Sequence, residues 1–393
     1  MQILSLKFDD FNTDWHLTET FFDSLNLLVG LSGVGKTRIL KALGLIRKVA
    51  TKSNYELDGI EWKICFFHQE QQYQWELKSE LIKQSSDNLF KNINGNEEEG
   101  KTKIIYEKLS NITINNKVIA ERSRDSFEWA NGKNAPKFKR SESMVTLFPE
   151  EEEIALIREA FKNIIFPEMK EYSAVSFIDR SGSERHDLDT LKLRKKHGKA
   201  INFKEFKKDS IGLPMPVKGF FFQNFFKSAF KEFKESFIGI FPFVIDIKIF
   251  HKRFVNETEL FVGIKEKGSN NWIYQDQISS GMFRTLTHLI EVYLAPDGTV
   301  ILVDEFENSL GINCMPGITD IILNHDSQLQ YIITSHHPYI IEGIPWKKWK
   351  LVCRHNRQVK VINSIDIPQL NTGSSLDKFT QLINLSEYEQ GII

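Results

Sequence analysis

The fold is decided by one short stretch near the start of the chain, Gly30-Leu31-Ser32-Gly33-Val34-Gly35-Lys36-Thr37. This stretch matches the phosphate-binding pattern G-x-x-x-x-G-K-[ST] at every fixed position. The apolar run 25–29 precedes it, as a buried strand would, and Ile39, Leu43 and Ile46 follow it with helical spacing. A strand, a glycine-rich loop and a helix in this order form the context in which the pattern binds phosphate.

The chemistry of this loop follows from its residue types. Glycines let the backbone curve closely, so that N–H groups converge on phosphate oxygens at the positive end of a helix. We expect Lys36 to reach the β- and γ-phosphates and Thr37 to ligate Mg²⁺. The predicted nucleotide-binding residues of the loop are Gly30, Ser32, Gly33, Val34, Gly35, Lys36, Thr37 and Arg38.

The composition excludes several classes of protein. The 393 residues carry 51 Lys+Arg and 52 Asp+Glu, so no global charge points to nucleic acid or to a membrane. The three cysteines are far apart and suit a reducing compartment. No apolar stretch approaches the roughly 20 residues that span a bilayer, and the N-terminus does not resemble a signal peptide. We therefore expect a soluble, cytoplasmic protein without a membrane partner.

A second motif lies far downstream, where the apolar run 299–303 ends in Asp304 and Glu305. This is the Walker B arrangement, in which a buried strand holds an aspartate that supports the Mg²⁺ shell. The neighbouring glutamate can polarise water for attack on the γ-phosphate. We predict that Asp304 contributes to the metal site and that Glu305 is catalytic.

Three shorter motifs surround the second one. The first is Ile278-Ser279-Ser280-Gly281-Met282, which precedes an amphipathic helical pattern. The second is the segment 307–311, which follows Walker B at the position of a D-loop. The third is the run 331–335, which leads to His336. Each motif has a plain structural alternative, because the serines could cap a helix and the histidine could be a buried structural residue. Their order and spacing together favour a nucleotide site.

With these motifs, residues 1–50 and 244–365 resemble the ABC-class ATPases of the SMC-like and overcoming-lysogenization-defect-like branch. The similarity is greatest to the compact ATPases of bacterial anti-phage systems of the Septu, PARIS and retron type. It implies that two heads dimerise head to tail around ATP, with Ser279 and Gly281 acting on the partner's nucleotide. His336 would sense the γ-phosphate. Ser280 and Met282 replace the second glycine and the glutamine of the transporter signature, which argues against a transporter subunit.

The resemblance predicts an α/β fold, a P-loop NTPase of the ABC-ATPase head type. We expect a mixed central sheet, an antiparallel β lobe and a helical insertion. The expected regions are 1–60, the N-terminal half of the head, then 61–243, a β-hairpin and helical lobe, and 244–393, the C-terminal half.

Within the middle region, three local predictions concern two helical segments and the linker before the second of them. A helix is expected to begin near Pro149, with Ile154, Ile157, Phe161 and Ile164 on its apolar face. Pro214 and Pro216 are expected to end a linker. The chain has 31 phenylalanines, and their excess lies at 220–243 with helical spacing, which predicts an aromatic face in the core or against a neighbouring subunit.

Two functions remain open at this stage. The first is an ATP-hydrolysing switch that forms a homodimer or a larger homo-oligomer and controls a separate effector protein, a nuclease or a toxin, in anti-phage defence. The second is a DNA-binding ATPase of repair or chromosome maintenance, in which the basic segment 192–208 contacts phosphates, although such charge runs are more often solvated inserts. A GTPase is disfavoured because the base-reading N-K-x-D tetrad is absent, and no histidine cluster suggests a nuclease within this chain.

Overall fold

The computed structural model describes most of the chain. The described residues are 1–52, 55–81, 102–124, 126–129, 139–167, 175–178, 202–253, 257–324, 328–371, 375–389 and 391. They form two compact units. Unit 1 comprises Met1–Phe166, Gly298–Asp304 and Gln330–Ile393, and unit 2 comprises Pro167–Asp297 and Glu305–Leu329. The region boundaries expected after residues 60 and 243 stay a prediction.

Unit 1 is built on a 13-stranded mixed sheet. Its strands are β1 (Gln2–Asp10), β2 (Trp15–Phe21), β3 (Leu25–Val29), β4 (Ile60–His68), β5 (Gln71–Ser79), β6 (Ile104–Asn111), β7 (Lys117–Arg122), β8 (Phe127–Trp129), β9 (Ile164–Ile165), β14 (Val300–Val303), β15 (Gln330–Thr334), β16 (Trp349–His355) and β17 (Gln358–Asn363). They lie side by side in the order β8-β7-β6-β5-β4-β1-β2-β17-β16-β3-β15-β14-β9.

The two halves of this sheet differ in strand direction. β3, β15, β14 and β9 run parallel, whereas β4 to β8 form an antiparallel meander. The parallel strands β3, β14 and β15 are buried at every position, as expected where both faces are covered. The mixed sheet with an antiparallel lobe confirms the predicted fold class.

Helices of unit 1 are Lys36–Thr51, Met144–Leu147, Glu152–Lys162, Pro338–Gly343, Ser375–Ile383 and Ser386–Glu389, with 3₁₀ turns at Trp346–Lys348, Ser364–Asp366 and Pro368–Asn371. The helix expected near Pro149 begins at Glu152 and buries Ile154, Ile157 and Phe161. The placement of Ile164 on its face was wrong, because Ile164 pairs with Val300 in the sheet.

Unit 2 contains a smaller antiparallel sheet and five helices among its described residues. The strands are β10 (Val175–Ile178), β11 (Val244–Arg253), β12 (Glu257–Glu266) and β13 (Trp272–Tyr274), and the helices are Phe203–Asp209, Met215–Phe225, Lys227–Ile240, Ser280–Leu294 and Met315–Asn324. β12 pairs with the other three strands. No helix within the described ranges is both long and apolar enough to span a bilayer.

The phenylalanine-rich stretch forms two helices that meet at Phe226, which has φ −126° and ψ 59°. Burial of Phe222, Phe230, Phe233 and Phe237 confirms that this aromatic face belongs to the core. The prolines predicted to end a linker lie where a helix begins: Pro214 is the N-cap of Met215–Phe225 and Pro216 lies in its first turn. Proline tolerates this position because its missing N–H would have no helical partner there.

Candidate functional site

The phosphate loop in unit 1 joins the buried strand β3 to the helix Lys36–Thr51. Gly30, Gly33 and Gly35 adopt φ of +139°, +85° and +114°, a region that favours glycine. A Cβ at Gly30 would lie 2.5 Å from the Val352 carbonyl oxygen, and one at Gly35 would lie 3.0 Å from Trp15 Nε1. Glycine is therefore required both by conformation and by space at positions 30 and 35, and by conformation alone at position 33.

Lys36 lies beneath the loop, with only 4% of its surface exposed. Its Nζ donates to the carbonyl oxygens of Gly30 (2.6 Å) and Leu31 (2.8 Å), and it lies 3.4 Å from Nδ1 of His336. His336 follows the end of β15 and is exposed. The structure therefore brings the lysine of the first motif next to the histidine of the last.

The neighbouring His337 caps a helix and does not contact Lys36 in the described structure. It is the N-cap of Pro338–Gly343, where its Nδ1 accepts a hydrogen bond from the Tyr339 N–H at 3.2 Å. Of the two adjacent histidines, only His336 contacts Lys36 among the described interactions. The role predicted for His336 stays a prediction.

The carboxylate of Asp304 accepts hydrogen bonds from two hydroxyl groups. Thr37 Oγ1 donates to Asp304 Oδ1 at 3.0 Å, and Thr334 Oγ1 donates to the same oxygen at 2.7 Å. The sheet order explains this, because β15 lies between β3 and β14 and the three parallel strands end at one edge. Sequence reasoning did not find Thr334, although its place at the end of an apolar run was a usable signal.

The remaining predicted loop residues differ in their surroundings. Ser32 is exposed and Val34 is buried. Arg38 binds residues outside the loop: its Nη2 donates to Asp10 Oδ2 at 3.1 Å and to the Thr13 hydroxyl. Its guanidinium lies 4.9 Å from the ring centre of Trp15, which is 1% exposed and thus a core residue.

Glu305 belongs to unit 2, where it begins the turn that follows Walker B. Its φ is +45°, and Ser309 four residues later has φ +61°, which is uncommon for residues other than glycine. The Glu305 carbonyl accepts from the Asn308 N–H at 2.8 Å and from Arg284 Nη2 at 3.5 Å. The side chain of Glu305 is exposed.

The signature segment in unit 2 begins the helix Ser280–Leu294. Ser279 is its N-cap, and the Met282 N–H donates to Ser279 Oγ at 3.3 Å. A Cβ at Gly281 would lie 3.1 Å from the Ser309 carbonyl oxygen and 3.3 Å from the Gly311 nitrogen. The signature glycine therefore packs against the D-loop backbone, and Arg284 from the same helix supports the Glu305 turn.

A buried histidine lies one turn further along this helix. His288 is 5% exposed, its ring centre lies 5.3 Å from that of Phe306, and its Nε2 has no hydrogen-bond partner in the described structure. Burial, with a smaller contribution from Arg284, lowers the pKa of His288 to about 3. His288 is therefore neutral at pH 7 and supports the turn by packing.

The predicted site residues thus form two groups. Unit 1 brings together Lys36, Thr37, Asp304 and His336 at one edge of its sheet. In unit 2, Gly281 packs against the D-loop that follows Glu305, and Ser279 caps the helix that contains Gly281. Of the basic segment 192–208, residues 192–201 lie outside the described structure, and Lys204, Lys207 and Lys208 lie on Phe203–Asp209.

The residues of the first group fit a magnesium-bound triphosphate. The three glycines have the positive φ that lets the loop curve, with no space for a side chain at Gly30 or Gly35, and Lys36 supplies a positive charge beneath the loop. Hydroxyl and carboxylate oxygens are suitable donors for Mg²⁺, and those of Thr37 and Asp304 are already in contact.

A model of one protein family matches residues 25–342, which include both groups. Its description is "AAA domain, putative AbiEii toxin, Type IV TA system". The chain belongs to this family. The AAA-domain match begins at β3 and extends past His336, so it spans every predicted motif. Membership supports an ATPase of the AAA type.

Solved structures similar to this AAA-domain protein include SMC head domains. An SMC head from Pyrococcus furiosus with an extended coiled coil, bound to the C-terminal domain of ScpA, is 16% identical with a TM-score of 0.47, covering 92% of this chain and 96% of that one. The SMC head domain from Thermotoga maritima is 11% identical with a TM-score of 0.41, covering 92% and 99%. No curated protein matches the chain.

Proposed function

We propose that this protein binds ATP with Mg²⁺ on the loop 30–37 and hydrolyses it. The observation that carries the proposal is the convergence of Thr37 and Thr334 on Asp304, beside the contact of Lys36 with His336. When bound, Mg²⁺ neutralises charge on the phosphate oxygens. Thr37 and Asp304 hold the ion, and Lys36 binds the β- and γ-phosphates.

Glu305 is the proposed general base. Its exposed carboxylate orients the attacking water and accepts its proton, while His336 beside Lys36 senses the γ-phosphate. Hydrogen bonds from Asn308 and Arg284 hold the backbone of Glu305, and they thereby fix the position from which its side chain extends. The left-handed conformation of Glu305 supports this role, because backbone strain of this kind concentrates at functional sites.

The nucleotide site is tested by removing its lysine. Lys36→Ala should abolish ATP binding, measured by isothermal titration calorimetry with ATP and Mg²⁺. Lys41→Ala is the matched control, because Lys41 is an exposed lysine on the same helix. Unchanged ATP affinity in Lys36→Ala would refute the proposed site.

The active form is proposed to be a homodimer or a larger homo-oligomer in which Ser279 and Gly281 contact the partner's nucleotide. Support comes from the resemblance to ABC-class heads and from the position of the exposed Ser279 at the N-terminus of a 15-residue helix, which favours anions. Mixing the inactive variants Lys36→Ala and Ser279→Arg should restore part of the turnover, since a mixed dimer has one complete site. No recovery would argue against action in trans.

The biological role proposed is cytoplasmic anti-phage defence, in which ATP turnover controls a separate effector protein, a nuclease or a toxin. The family description names a toxin of a type IV toxin–antitoxin system, which supports a role with a partner. Native mass spectrometry of the complex purified with ATP tests this, because a second polypeptide should be present. The DNA-binding alternative through 192–208 stays a prediction.

A further inference from the structure

Within unit 1, Lys36 and His336 lie side by side although 300 residues separate them in the chain. The lysine ammonium is held by the loop itself, because Nζ donates to the carbonyl oxygens of Gly30 and Leu31 at 2.6 and 2.8 Å. His336 directly follows Ser335, which is fully buried beyond the end of β15. The distance of 3.4 Å between Nζ of Lys36 and Nδ1 of His336 therefore joins two residues that the surrounding backbone holds in place.

The contact between these two side chains specifies which atom donates and which accepts. A lysine ammonium has three N–H donors and no acceptor, so Nδ1 of His336 is the acceptor. A neutral imidazole has one N–H and one ring nitrogen with a lone pair, and the hydrogen bond made by one nitrogen decides which of them carries the proton. The lone pair of His336 therefore lies on Nδ1, and its proton lies on Nε2.

We propose that Lys36 is a positioning residue for His336, because it fixes the tautomer in which Nε2 carries the proton. This inference rests on the proposed function, in which Lys36 binds the β- and γ-phosphates and His336 senses the γ-phosphate. Phosphate oxygens accept hydrogen bonds, so a side chain that senses them has to donate one. The N–H at Nε2 of His336 is that donor.

The same tautomer excludes His336 as the general base. With the proton on Nε2, the one lone pair in the plane of the ring is at Nδ1, and this lone pair is directed to Lys36. His336 can therefore donate a hydrogen bond to a phosphate oxygen, but it cannot take the proton of the attacking water at Nε2. Removal of that proton stays with the carboxylate of Glu305 in the proposed mechanism.

The adjacent His337 provides an internal comparison. Its Nδ1 accepts a hydrogen bond from the Tyr339 N–H at 3.2 Å, so the same rule places its proton on Nε2. This donor is a backbone amide of the helix that His337 caps, and not a side chain of the phosphate loop. A change at Lys36 should therefore alter the ring of His336 and leave the ring of His337 as it was.

The tautomer is measured by long-range proton–nitrogen NMR on the full chain with isotope-labelled histidine, without nucleotide at pH 8, where an ordinary imidazole is neutral. His336→Asn and His337→Asn assign the two rings. In the unchanged protein we expect the proton on Nε2 in both. Lys36→Met keeps the stem of the side chain but removes the donor, so the tautomer with the proton on Nδ1 should appear at His336 only. Lys36→Arg restores a donor and should suppress that tautomer again.

The consequence for the reaction is tested by two amide replacements of His336. The amide nitrogen of a glutamine reaches as far as Nε2 of an imidazole, whereas that of an asparagine reaches only as far as Nδ1. His336→Gln should therefore keep ATP turnover within about tenfold of the unchanged protein, and His336→Asn should lose about a hundredfold or more, as expected for a lost donor to the reacting group. Calorimetry with ATP and Mg²⁺ measures nucleotide affinity in the same variants.

Three results would overturn this inference. One is a proton on Nδ1 of His336 in the unchanged protein. Another is a His336 spectrum that Lys36→Met leaves unchanged, while unaltered His337 signals show that the variant is folded. The third is turnover in His336→Asn that equals or exceeds that in His336→Gln. Absence of ATP turnover in the unchanged protein would instead refute the proposed function, and the NMR measurement distinguishes the two failures because it requires no nucleotide.

Discussion

At the scale of single residues, the buried hydroxyl of Thr334 is the part of the site that the sequence least revealed. Thr334 is 1% exposed, and it shares the Asp304 oxygen with Thr37. Two hydroxyl donors on one carboxylate oxygen fix its orientation toward the loop. Residues that orient a metal-binding group typically affect activity about 10- to 100-fold when replaced.

Thr334→Val should therefore lower ATP turnover about tenfold or more, because it keeps the shape of the side chain but removes the donor to Asp304. Thr334→Ser is the control, since it retains the hydroxyl and should keep most of the activity. Steady-state ATPase assays with varied Mg²⁺ measure the effect. Equal turnover in Thr334→Val and the unchanged protein would show that Asp304 needs no such support.

Glycine positions give a second prediction at this scale. Gly35→Ala should destabilise the protein by about 1–3 kcal/mol, because its φ is +114° and the new methyl group would approach Trp15. Gly239→Ala should instead stabilise by about 0.5–1 kcal/mol, because Gly239 lies in a helix with open space around it. Thermal unfolding of both variants checks the opposite signs. A loss of stability in both would remove the conformational explanation.

At the scale of the elements, the signature helix of unit 2 supports the Glu305 turn and contains a buried neutral histidine. The pKa of His288 is about 3 in the folded protein and about 6.5 in an unfolded chain. The unfolded state therefore binds the proton first as the pH falls. Stability from this residue is complete above pH 6.5 and is lost progressively between pH 6.5 and 3.

Unfolding free energy should thus fall by about 2 kcal/mol between pH 7 and pH 5 through His288 alone. His288→Leu removes the titrating group and should show a pH dependence that is shallower by this amount. Urea titrations of both proteins at the two pH values measure the difference. Parallel pH profiles would mean that His288 is already accessible to protons in the folded state.

The elements also show which features can be predicted from sequence. The loop 30–37 with its strand and helix was predictable because its signals are local, and so were the hairpin β4–β5 and the strand β14. Ile164 was assigned to a helix because its pairing with Val300 joins residues far apart in the chain. The contact of Thr334 with Asp304 depends on strand order, which periodicity does not reveal.

The place where one helix ends and the next begins was not predicted, for a related reason. The spacing of the phenylalanines at 222, 226, 230, 233 and 237 predicts one continuous face, yet Phe226 leaves the helical conformation and two helices result. Pro214 and Pro216, predicted to end a linker, lie where the helix Met215–Phe225 begins, a position that favours proline. At Phe226 the residue type allows two structures, and packing selects between them.

At the scale of the whole molecule, the chain forms two units, and one of the four places where it passes from one unit to the other falls between Asp304 and Glu305. One Walker B motif thus contributes its proposed metal-binding residue to unit 1 and its proposed base to unit 2. The sequence gives no sign of this division, because the two residues are adjacent. Replacing Asp304 therefore tests the metal-binding role alone, and replacing Glu305 tests the role of general base alone.

The most direct test measures ATP turnover, and the mass of the assembly by native mass spectrometry, in the presence of ATP and Mg²⁺. It compares the unchanged protein with the variants Lys36→Ala and Glu305→Gln. Glu305→Gln should bind ATP, lose at least about a hundredfold in turnover, and accumulate as a dimer or a larger assembly. Lys36→Ala should neither bind ATP nor assemble. Turnover by Glu305→Gln equal to that of the unchanged protein would contradict the proposed mechanism.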